Sequence, residues 1–512
     1  MSQFTPEQEN QILSRGNSLE DVSSQLALFR KGIKPVELYK PAVPGDGIEV
    51  YSDADTEDYI RTFDNGCSDV TLAKFIPASG AASRMFKALF EGLDKLKADP
   101  ENQERALNEI PELKHFFSEI DHFPFYSDLQ EISKMNDLDL GELLREKKYF
   151  QIIELLLNQT GLNYGSLPKG LLKFHTYGNR QRTAVHEHLI EAAQYLAVRN
   201  KINLHFTVSP EHRRSFEELT GGLTPLTLDG KEYIFDITFS EQKPSTDTIA
   251  VTMNNDPFIT SEGLLLFRPG GHGALLENLM EIRKSVVFIG NIDNVSPDNM
   301  KPLRIKYKKL TGGILLQRRS QINSFLQRLD NGLSAELKNE ITDFVKKYIS
   351  PGDSSRLTVL SDAAFKKEAR HLLNRPVRVC GMVKNTGEPG GGPFWIRYNG
   401  TISKQIVESS QIDLQNSEQK NIFNSSTHFN PVDMACSLTD YNGNKFNLND
   451  FKNPEMAFIA VKSYGAEKIK ALELPGLWNG SMSEWITFFV EVPGETFSPV
   501  KTVFDLVRPE HR

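Results

Sequence analysis

The sequence has little cysteine, no long apolar run and no excess of positive charge. Only 3 cysteines occur in 512 residues, which indicates neither a disulfide framework nor a zinc motif, and a reducing cytoplasm is the expected compartment. No stretch approaches the roughly 20 apolar residues of a membrane span, and the polar N-terminus has no run that a signal peptide could use. The net charge of −8 argues against a nucleic-acid scaffold, although a few basic side chains in one cleft suffice for a small anion.

Strand and helix patterns alternate through the middle of the chain. Residues 202–209 and 233–240 are typical of strands, 182–196 and 274–282 of helices, and 285–293 of a buried strand. This alternation predicts an α/β fold with a doubly wound, mainly parallel sheet.

Shifts in composition indicate three regions. Residues 1–68 are expected to form an N-terminal helical extension, and residues 376–512 an α+β portion that returns to the core. The core itself is expected at 69–375, with a helical insertion at 86–163.

A turn of small residues, Pro77 to Met85, lies between a predicted strand and a predicted helix. Small residues let backbone N–H groups approach an anion, and a helix N-terminus adds a favourable dipole. Arg84 would add a fixed positive charge beside phosphates. The segment is neither a P-loop nor a dinucleotide fingerprint, so an ordinary structural turn is the alternative.

Further candidate segments follow in order along the chain, and each by itself is also compatible with an ordinary turn or loop. They are Leu167–Gly170, Phe239–Thr248, Phe267–Ala274, Val286–Asn294, Ile406–Ser410 and Thr496–Lys501. Asp293 stands out because it follows an apolar run, at the carboxyl end of a buried strand. Ligands bind at that edge of open α/β sheets, and a carboxylate there is a natural ligand for Mg²⁺.

The order of these segments resembles the nucleotidyltransferases that make nucleotide sugars, above all the UDP-glucose and UDP-N-acetylglucosamine pyrophosphorylases. The resemblance implies their Rossmann-like, glycosyltransferase-A-like fold. In that family a glycine-rich loop ending in Thr-Arg or Ser-Arg wraps the triphosphate; Gly80, Ser83 and Arg84 match it, whereas Ala82 replaces its second glycine. The Pro-Lys that normally follows closely lies far downstream here, before Gly170, as if 86–163 were inserted between two halves of the motif.

The resemblance implies a role for each matching residue. Arg84, Lys169 and Lys501 would be catalytic, and Asp293 would bind Mg²⁺ as the cofactor. Glu408 and Asn294 would bind the sugar. The nucleotide-binding residues would be Ala78, Ser79, Gly80, Ala81, Ala82, Ser83, Gln242, Gly271, His272 and Gly273.

The implied reaction joins a nucleoside triphosphate and a sugar 1-phosphate to give a nucleoside diphosphate sugar and pyrophosphate, with no nucleic-acid or membrane partner. An alternative, suggested by Ala82 and the displaced Pro-Lys, is an inactive nucleotide- or nucleotide-sugar-binding regulatory protein of the same fold. A glycosyltransferase would need an Asp-x-Asp motif at the strand end, where Asn291 precedes Asp293. The nucleobase, the sugar and the oligomeric state stay open, and Gln242 favours a pyrimidine by resemblance only.

The whole chain, including residues 381–395 and the final segment, also resembles a family of Bacteroidetes proteins named only as a domain of unknown function, DUF4301. That resemblance implies no substrate.

Two other features of the sequence are weaker indications of function. His186 and His188 are two positions apart on a predicted helix, so they cannot face one metal and are expected to be ordinary surface or interface residues. The basic run 304–309 alternates charged and apolar residues, which favours a solvated strand or loop.

Overall fold

The structure is a computed structural model that describes residues 4–98, 103–387 and 390–512. Helices α1 to α17 span Pro6–Ser14, Leu19–Lys31, Asp53–Gly66, Lys87–Ala98, Gln103–Glu109, Pro111–Ser118, Tyr126–Met135, Leu140–Arg145, Tyr149–Leu157, Ala184–Tyr195, Arg213–Leu223, Leu275–Glu281, Lys301–Asn331, Ala335–Phe344, Pro351–Thr358, Asp362–Leu373 and Ser417–Asn424. Strands β1 to β20 span Glu37–Pro41, Val43–Pro44, Gly47–Glu49, Leu72–Pro77, Lys173–Tyr177, Arg180–Thr183, Lys201–Val208, Leu226–Leu228, Lys231–Glu241, Thr248–Val251, Phe267–Arg268, Val286–Gly290, Val377–Lys384, Gly392–Tyr398, Thr401–Val407, His428–Phe429, Asp433–Ser437, Phe458–Tyr464, Glu467–Glu473 and Ile486–Glu491. Within the described ranges, no helix combines the length and apolar character needed to cross a membrane.

The chain divides into two compact units that are interleaved along the sequence. The first unit consists of Met1–Phe75, Ser240–Ile289 and Tyr307–Gly494, and the second of Ile76–Phe239, Gly290–Lys306 and Glu495–Arg512. The region boundaries expected from composition stay predictions.

The main sheet of the first unit is rich in parallel pairs. Its strands run in the order β2, β3, β20, β13, β17, β12 and β4. The pairs β2–β3, β3–β20, β20–β13 and β12–β4 are parallel, and β13–β17 is antiparallel. Every residue of β12 is buried, as its continuous apolar run predicts for a strand covered on both faces. The predicted α/β fold with a mainly parallel sheet is confirmed.

Two smaller antiparallel sheets complete the strands of the first unit. One has the order β1, β14, β15, and the other the order β11, β10, β19, β18. Helices α14 to α16 follow the long helix α13.

The second unit carries the helical stretch that the sequence predicts after the small-residue turn. Helices α4 to α9 lie within it, and β9 lies between β7 and β8 in its sheet. Helix α10 begins after Thr183, whose hydroxyl oxygen accepts a hydrogen bond from the His186 N–H at 3.2 Å. This bond satisfies one of the free N–H groups of the first turn.

The structure corrects two local expectations. The region 1–68 is not purely helical, since it contains β1, β2 and β3. The run 304–309 is part of α13 and not a strand or loop. It is also not fully solvated, since two of its cations are buried in ion pairs. Arg304 lies 3.1 Å from Glu191, and Lys308 lies 2.8 Å from Asp433.

Candidate active site

The small-residue turn and the Pro-Lys segment are neighbours in the second unit. The N–H of Ala82 donates to the carbonyl of Leu167 at 3.1 Å, and the N–H of Lys169 donates to the carbonyl of Gly80 at 3.3 Å. Ala81 and Pro168 form an isolated antiparallel bridge. The chain segments before α4 and after α9 therefore lie next to each other, and helices α4 to α9 account for the long separation of the two segments in sequence.

The turn presents backbone donors on an exposed surface. Ser79, Gly80 and Ala81 are exposed, and no acceptor for their N–H groups is present among the described residues. A Cβ added at Gly80 would meet no atom within 4 Å. Such a run of free N–H groups is suited to an anion.

The other predicted residues of the turn differ in their surroundings. Ala78 and Ala82 are buried, and the N–H of Ala78 donates to the carbonyl of Thr207 at 2.8 Å. Ser83 and Arg84 are exposed, and no ion pair of Arg84 occurs in the described part of the chain. Ala78 and Ala82 thus anchor the turn, because their N–H groups already have partners in the protein.

Two lysines converge on Asp293. The Lys169 ammonium donates to Oδ2 of Asp293 at 2.8 Å, and the Lys501 ammonium donates to the same oxygen at 3.0 Å. The Asp293 side chain is only 10% exposed, whereas Lys501 is 56% exposed. Three residues far apart in sequence thus form one cluster with a net positive charge.

Burial and pairing act in opposite directions on these groups. Burial by itself raises the pKa of Asp293, but the ammonium groups of Lys501 and Lys169 hold it below its ordinary value. Burial lowers the pKa of Lys169, although Asp293 opposes that shift. The cluster is therefore an ion network whose carboxylate stays ionised at neutral pH.

Backbone contacts hold the cluster in place. The N–H of Val500 donates to the carbonyl of Asp293 at 2.9 Å, and Lys169 donates to the carbonyl of Val500 at 2.6 Å. The carboxylate of Asp505 accepts from the N–H groups of Lys501 and Thr502 at 2.8 and 2.7 Å. The lysine backbone is thus fixed while its side chain reaches towards Asp293.

Asn294 has a supporting position next to Asp293. Its side-chain oxygen accepts from Arg304 and from the N–H of Ser498, both at 3.0 Å, and the residue is buried. That oxygen therefore already has two donors within the protein. The predicted contact of Asn294 with a sugar stays a prediction.

His188 was expected to be an ordinary surface or interface residue, and the structure corrects this expectation. Its Nε2 lies 3.2 Å from the carbonyl oxygen of Ile292, and the residue is buried. The helix α10 thereby contacts the residue before Asp293. Helical spacing excluded a shared metal but could not show which histidine faces inward.

A second cluster lies in the first unit around His272. The N–H of Leu477 donates to Nδ1 of His272 at 3.1 Å, and Nε2 lies 3.6 Å from Oε1 of Glu408. The ring stacks on Trp478 with centroids 4.2 Å apart. Gly273 permits the close approach, because a Cβ there would lie 2.2 Å from the Pro475 carbonyl oxygen.

This cluster has the chemistry of a sugar-binding surface, an aromatic ring beside a carboxylate. Burial raises the pKa of Glu408, but hydrogen bonding from His272 and other donors leaves it below its ordinary value. The sequence analysis missed Trp478, and its rarity was the available signal, since the chain contains only 3 tryptophans. Gly271 adopts a positive φ of 77°, which a side chain would strain.

Gln242 also lies in the first unit. Its side-chain NH₂ donates to Oδ1 of Asp247 at 3.3 Å. Its predicted contact with a nucleobase stays a prediction.

Asp293 is the candidate ligand for Mg²⁺ in this cluster. Among the described residues, no group of three or more His, Cys, Asp or Glu side chains could hold a metal ion. Magnesium at nucleotide sites takes one or two carboxylates from the protein and its other ligands from phosphates and water. Asp293 therefore fits an ion that arrives with a triphosphate, and not one held by the protein alone.

Comparison with known proteins identifies a family. The sequence matches the family described as Domain of unknown function (DUF4301) over residues 5–512, and the chain belongs to that family. No curated protein matches the sequence.

Some solved structures share a similar course of the chain. One is the uridine diphosphate N-acetylglucosamine pyrophosphorylase from Trypanosoma brucei in complex with an inhibitor, at 13% identity, covering 95% of this chain and 74% of that chain, with a TM-score of 0.48. Another is the UDP-glucose phosphorylase from Trypanosoma brucei, at 13% identity, 98% and 76% coverage and a TM-score of 0.44. A UDP-glucose pyrophosphorylase from Leishmania major in complex with UDP-glucose shares 11% identity, with 96% and 75% coverage and a TM-score of 0.42. At such scores, a functional assignment has to come from the side chains of this chain.

Proposed function

We propose that the chain is a nucleotidyltransferase that joins a nucleoside triphosphate to a sugar 1-phosphate and releases pyrophosphate. The observation that carries this proposal is the cluster of Lys169 and Lys501 on Asp293, beside a turn with free N–H groups. These ammonium and N–H groups can donate to phosphate oxygens. The carboxylate of the cluster is paired with both lysines, so it is not an evident base for proton transfer.

The turn would hold the triphosphate tail. Ser79, Gly80 and Ala81 would donate their N–H groups to β- and γ-phosphate oxygens, and Arg84 would add a charge from the exposed end of the turn. The absent side chain at Gly80 leaves room for close approach of a phosphate.

The lysines would act where charge develops. The sugar phosphate oxygen attacks the α-phosphorus, and the bond from that phosphorus to the bridging oxygen breaks as pyrophosphate leaves. Lys169 and Lys501 would exchange Asp293 for phosphate oxygens and stabilise this charge. When bound, Mg²⁺ would supply further charge neutralisation, with Asp293 as its protein ligand.

In the first unit, Glu408 is the residue proposed to bind sugar hydroxyl groups. Its carboxylate would accept hydrogen bonds from sugar hydroxyl groups, while the partly exposed Trp478 would offer an aromatic surface for the ring. His272 would position Glu408 through the contact between their polar atoms.

Binding without turnover is a second candidate, favoured by one observation. Both lysines are engaged by Asp293, so a ligand must displace these contacts before the cluster can serve catalysis. A protein of this kind would be stabilised by nucleotides but would release no pyrophosphate.

The test is a pyrophosphate-release assay with UTP, CTP, GTP and ATP, each with Mg²⁺ and several sugar 1-phosphates, alongside thermal unfolding with each nucleotide. We expect one nucleotide to stabilise the wild type and to support release. Asp293→Asn should abolish release, and Lys169→Met should lower kcat by about 10²–10³-fold, the loss typical of one donor to developing charge.

Lys173→Met is the matched control, since Lys173 lies in the same unit and pairs with Asp128 at 2.6 Å, away from Asp293. Its activity should equal that of the wild type. Near-normal pyrophosphorolysis by Asp293→Asn would refute the assignment, and stabilisation by a nucleotide without release would establish the second candidate instead.

A further inference from the structure

A polar cavity of about 210 Å³ lies in the first unit, with all its lining residues within that unit. It is formed by the start of α15, the end of α16, strand β15 and the segment that leads into β20. Its size suits one small ion with a few waters, since a water takes about 30 Å³ of liquid.

Lys404, which lines the cavity, is a buried cation without a hydrogen-bond acceptor. The residue is 6% exposed, and no acceptor for its ammonium group is present in the described part of the chain. Three aromatic rings lie around the ammonium: the rings of Phe488, Trp395 and Phe489 have centroids 5.6, 5.8 and 5.9 Å from Nζ. Burial lowers the pKa of Lys404 to about 8. The charge of Glu49 opposes this shift, so the lost hydration is compensated only in part.

Two further donors on the lining residues also have no partner. The hydroxyl of Ser483 and the indole N–H of Trp485 are buried and make no hydrogen bond within the described residues. Buried polar groups are nearly always paired, so such orphans call for an explanation. All three unpaired groups can donate, which points to a missing partner rich in acceptors.

The carboxylates at the cavity do not supply that partner. Asp353 lies 3.1 Å from Arg356, and Glu484 lies 3.3 Å from Arg375, so each carboxylate already faces an arginine. Glu49, whose charge acts on Lys404, does not line the cavity and lies 3.2 Å from Arg318, so the lining itself keeps an excess of positive charge.

A second buried cation lies behind the lining. Arg378 is fully buried, and its hydrogen bonds within the described residues go to neutral acceptors, including the Thr487 hydroxyl at 2.8 Å and the Gln405 side-chain oxygen at 3.4 Å. Thr487 and Gln405 also line the cavity. The charged groups around the cavity therefore carry an excess of positive charge, which a bound anion would neutralise.

We propose that this cavity binds a small oxyanion, either inorganic phosphate or the phosphate group of a small monoester, with Lys404 as its charged partner. The oxygens of such an ion accept from an ammonium, a hydroxyl and an indole N–H alike. The cavity is smaller than the 300–1,000 Å³ or so of typical pockets for larger ligands, which favours a small ion over a whole nucleotide. The proposal is independent of the function assigned to the Asp293 cluster.

The test is the thermal midpoint of the full chain in anion-poor buffer, titrated with inorganic phosphate, with glycerol phosphate, and with sodium chloride at matched ionic strength. Both phosphates should raise the midpoint saturably and chloride should not, because binding to the folded state stabilises it by mass action. The relative size of the two shifts distinguishes free phosphate from a monoester.

Lys404→Met should weaken phosphate binding by about tenfold to a hundredfold, the usual value of a charge-assisted hydrogen bond. Ser483→Ala should weaken it less, and provides a second variant that removes only one neutral donor. Lys367→Met is the matched control, since Lys367 is exposed on α16 and does not line the cavity.

Lys169→Met separates this site from the Asp293 cluster and should leave the Lys404-dependent part of the shift intact. The proposal is overturned if phosphate stabilises Lys404→Met as strongly as the wild type, or if neither phosphate shifts the midpoint of the wild type at tens of millimolar.

Discussion

Replacing Lys404 by methionine should stabilise the first unit at neutral pH and make no difference at high pH. The folded state holds the Lys404 proton weakly, since its pKa is about 8 against an ordinary value of 10.5. Methionine has a similar length and carries no charge, so it removes the cost of burying the ammonium while the apolar contacts with Phe488 and Trp395 remain.

The size of the effect follows from that difference. A depression of about 2.5 pKa units corresponds to about 3 kcal/mol of unfolding free energy. Attraction to aromatic rings at 5.6–5.9 Å offsets about 0.5–1 kcal/mol per favourable ring. With three such rings, the expected gain for Lys404→Met at pH 7 is about 0.5–2 kcal/mol.

The size of this gain depends on pH in a defined window. Below pH 8 the lysine is protonated in both states, and the wild type bears the full cost. Between pH 8 and 10.5 the folded wild type loses the proton while the unfolded chain keeps it, so wild-type stability rises relative to the variant. Above this window the advantage of the variant disappears.

Urea unfolding followed by tryptophan fluorescence measures this difference, because Trp395, Trp478 and Trp485 all belong to the first unit. Wild type, Lys404→Met and Lys367→Met are compared at pH 7 and at high pH, without phosphate. A less stable Lys404→Met at pH 7, or a gain that is the same at both pH values, would refute the reasoning.

Three further predictions concern the two clusters and the core. Gly80→Ala should leave the thermal midpoint unchanged, because the new Cβ meets no atom within 4 Å. The same variant should bind nucleotide more weakly in calorimetry. An unchanged affinity would contradict the phosphate role of the turn. Glu408→Gln should raise the KM for the sugar 1-phosphate and leave nucleotide affinity alone, and a loss confined to the nucleotide would count against its sugar role. His511→Phe should cost about 1–3 kcal/mol in urea unfolding, because His511 Nδ1 lies 2.8 Å from Nε2 of the buried His175. His511→Asn should lose less because it keeps a polar partner, and equal losses would exclude that contact as the cause.

The sequence alone determined the fold class and the order of the candidate segments. The apolar run before Gly290 is short, rich in β-branched residues and without a polar face, which favours a strand buried on both sides, and it is β12. Ser and Thr residues at helix starts, such as Thr183 before α10, are likewise local signals that do not depend on distant neighbours. Patterns of this kind are properties of short stretches of chain, which explains why they could be predicted.

Only the tertiary structure decided which charges meet and which are buried. Lys169 and Lys501 reach Asp293 across 124 and 208 residues, contacts that no local pattern encodes. Lys404 stands in a strand sequence that would suit an exposed lysine equally well, and its burial depends on aromatic rings supplied by other strands. The free energy of a charged side chain is set by its neighbours in space, so chain order could propose the Asp293 cluster but could not reveal the cavity at Lys404.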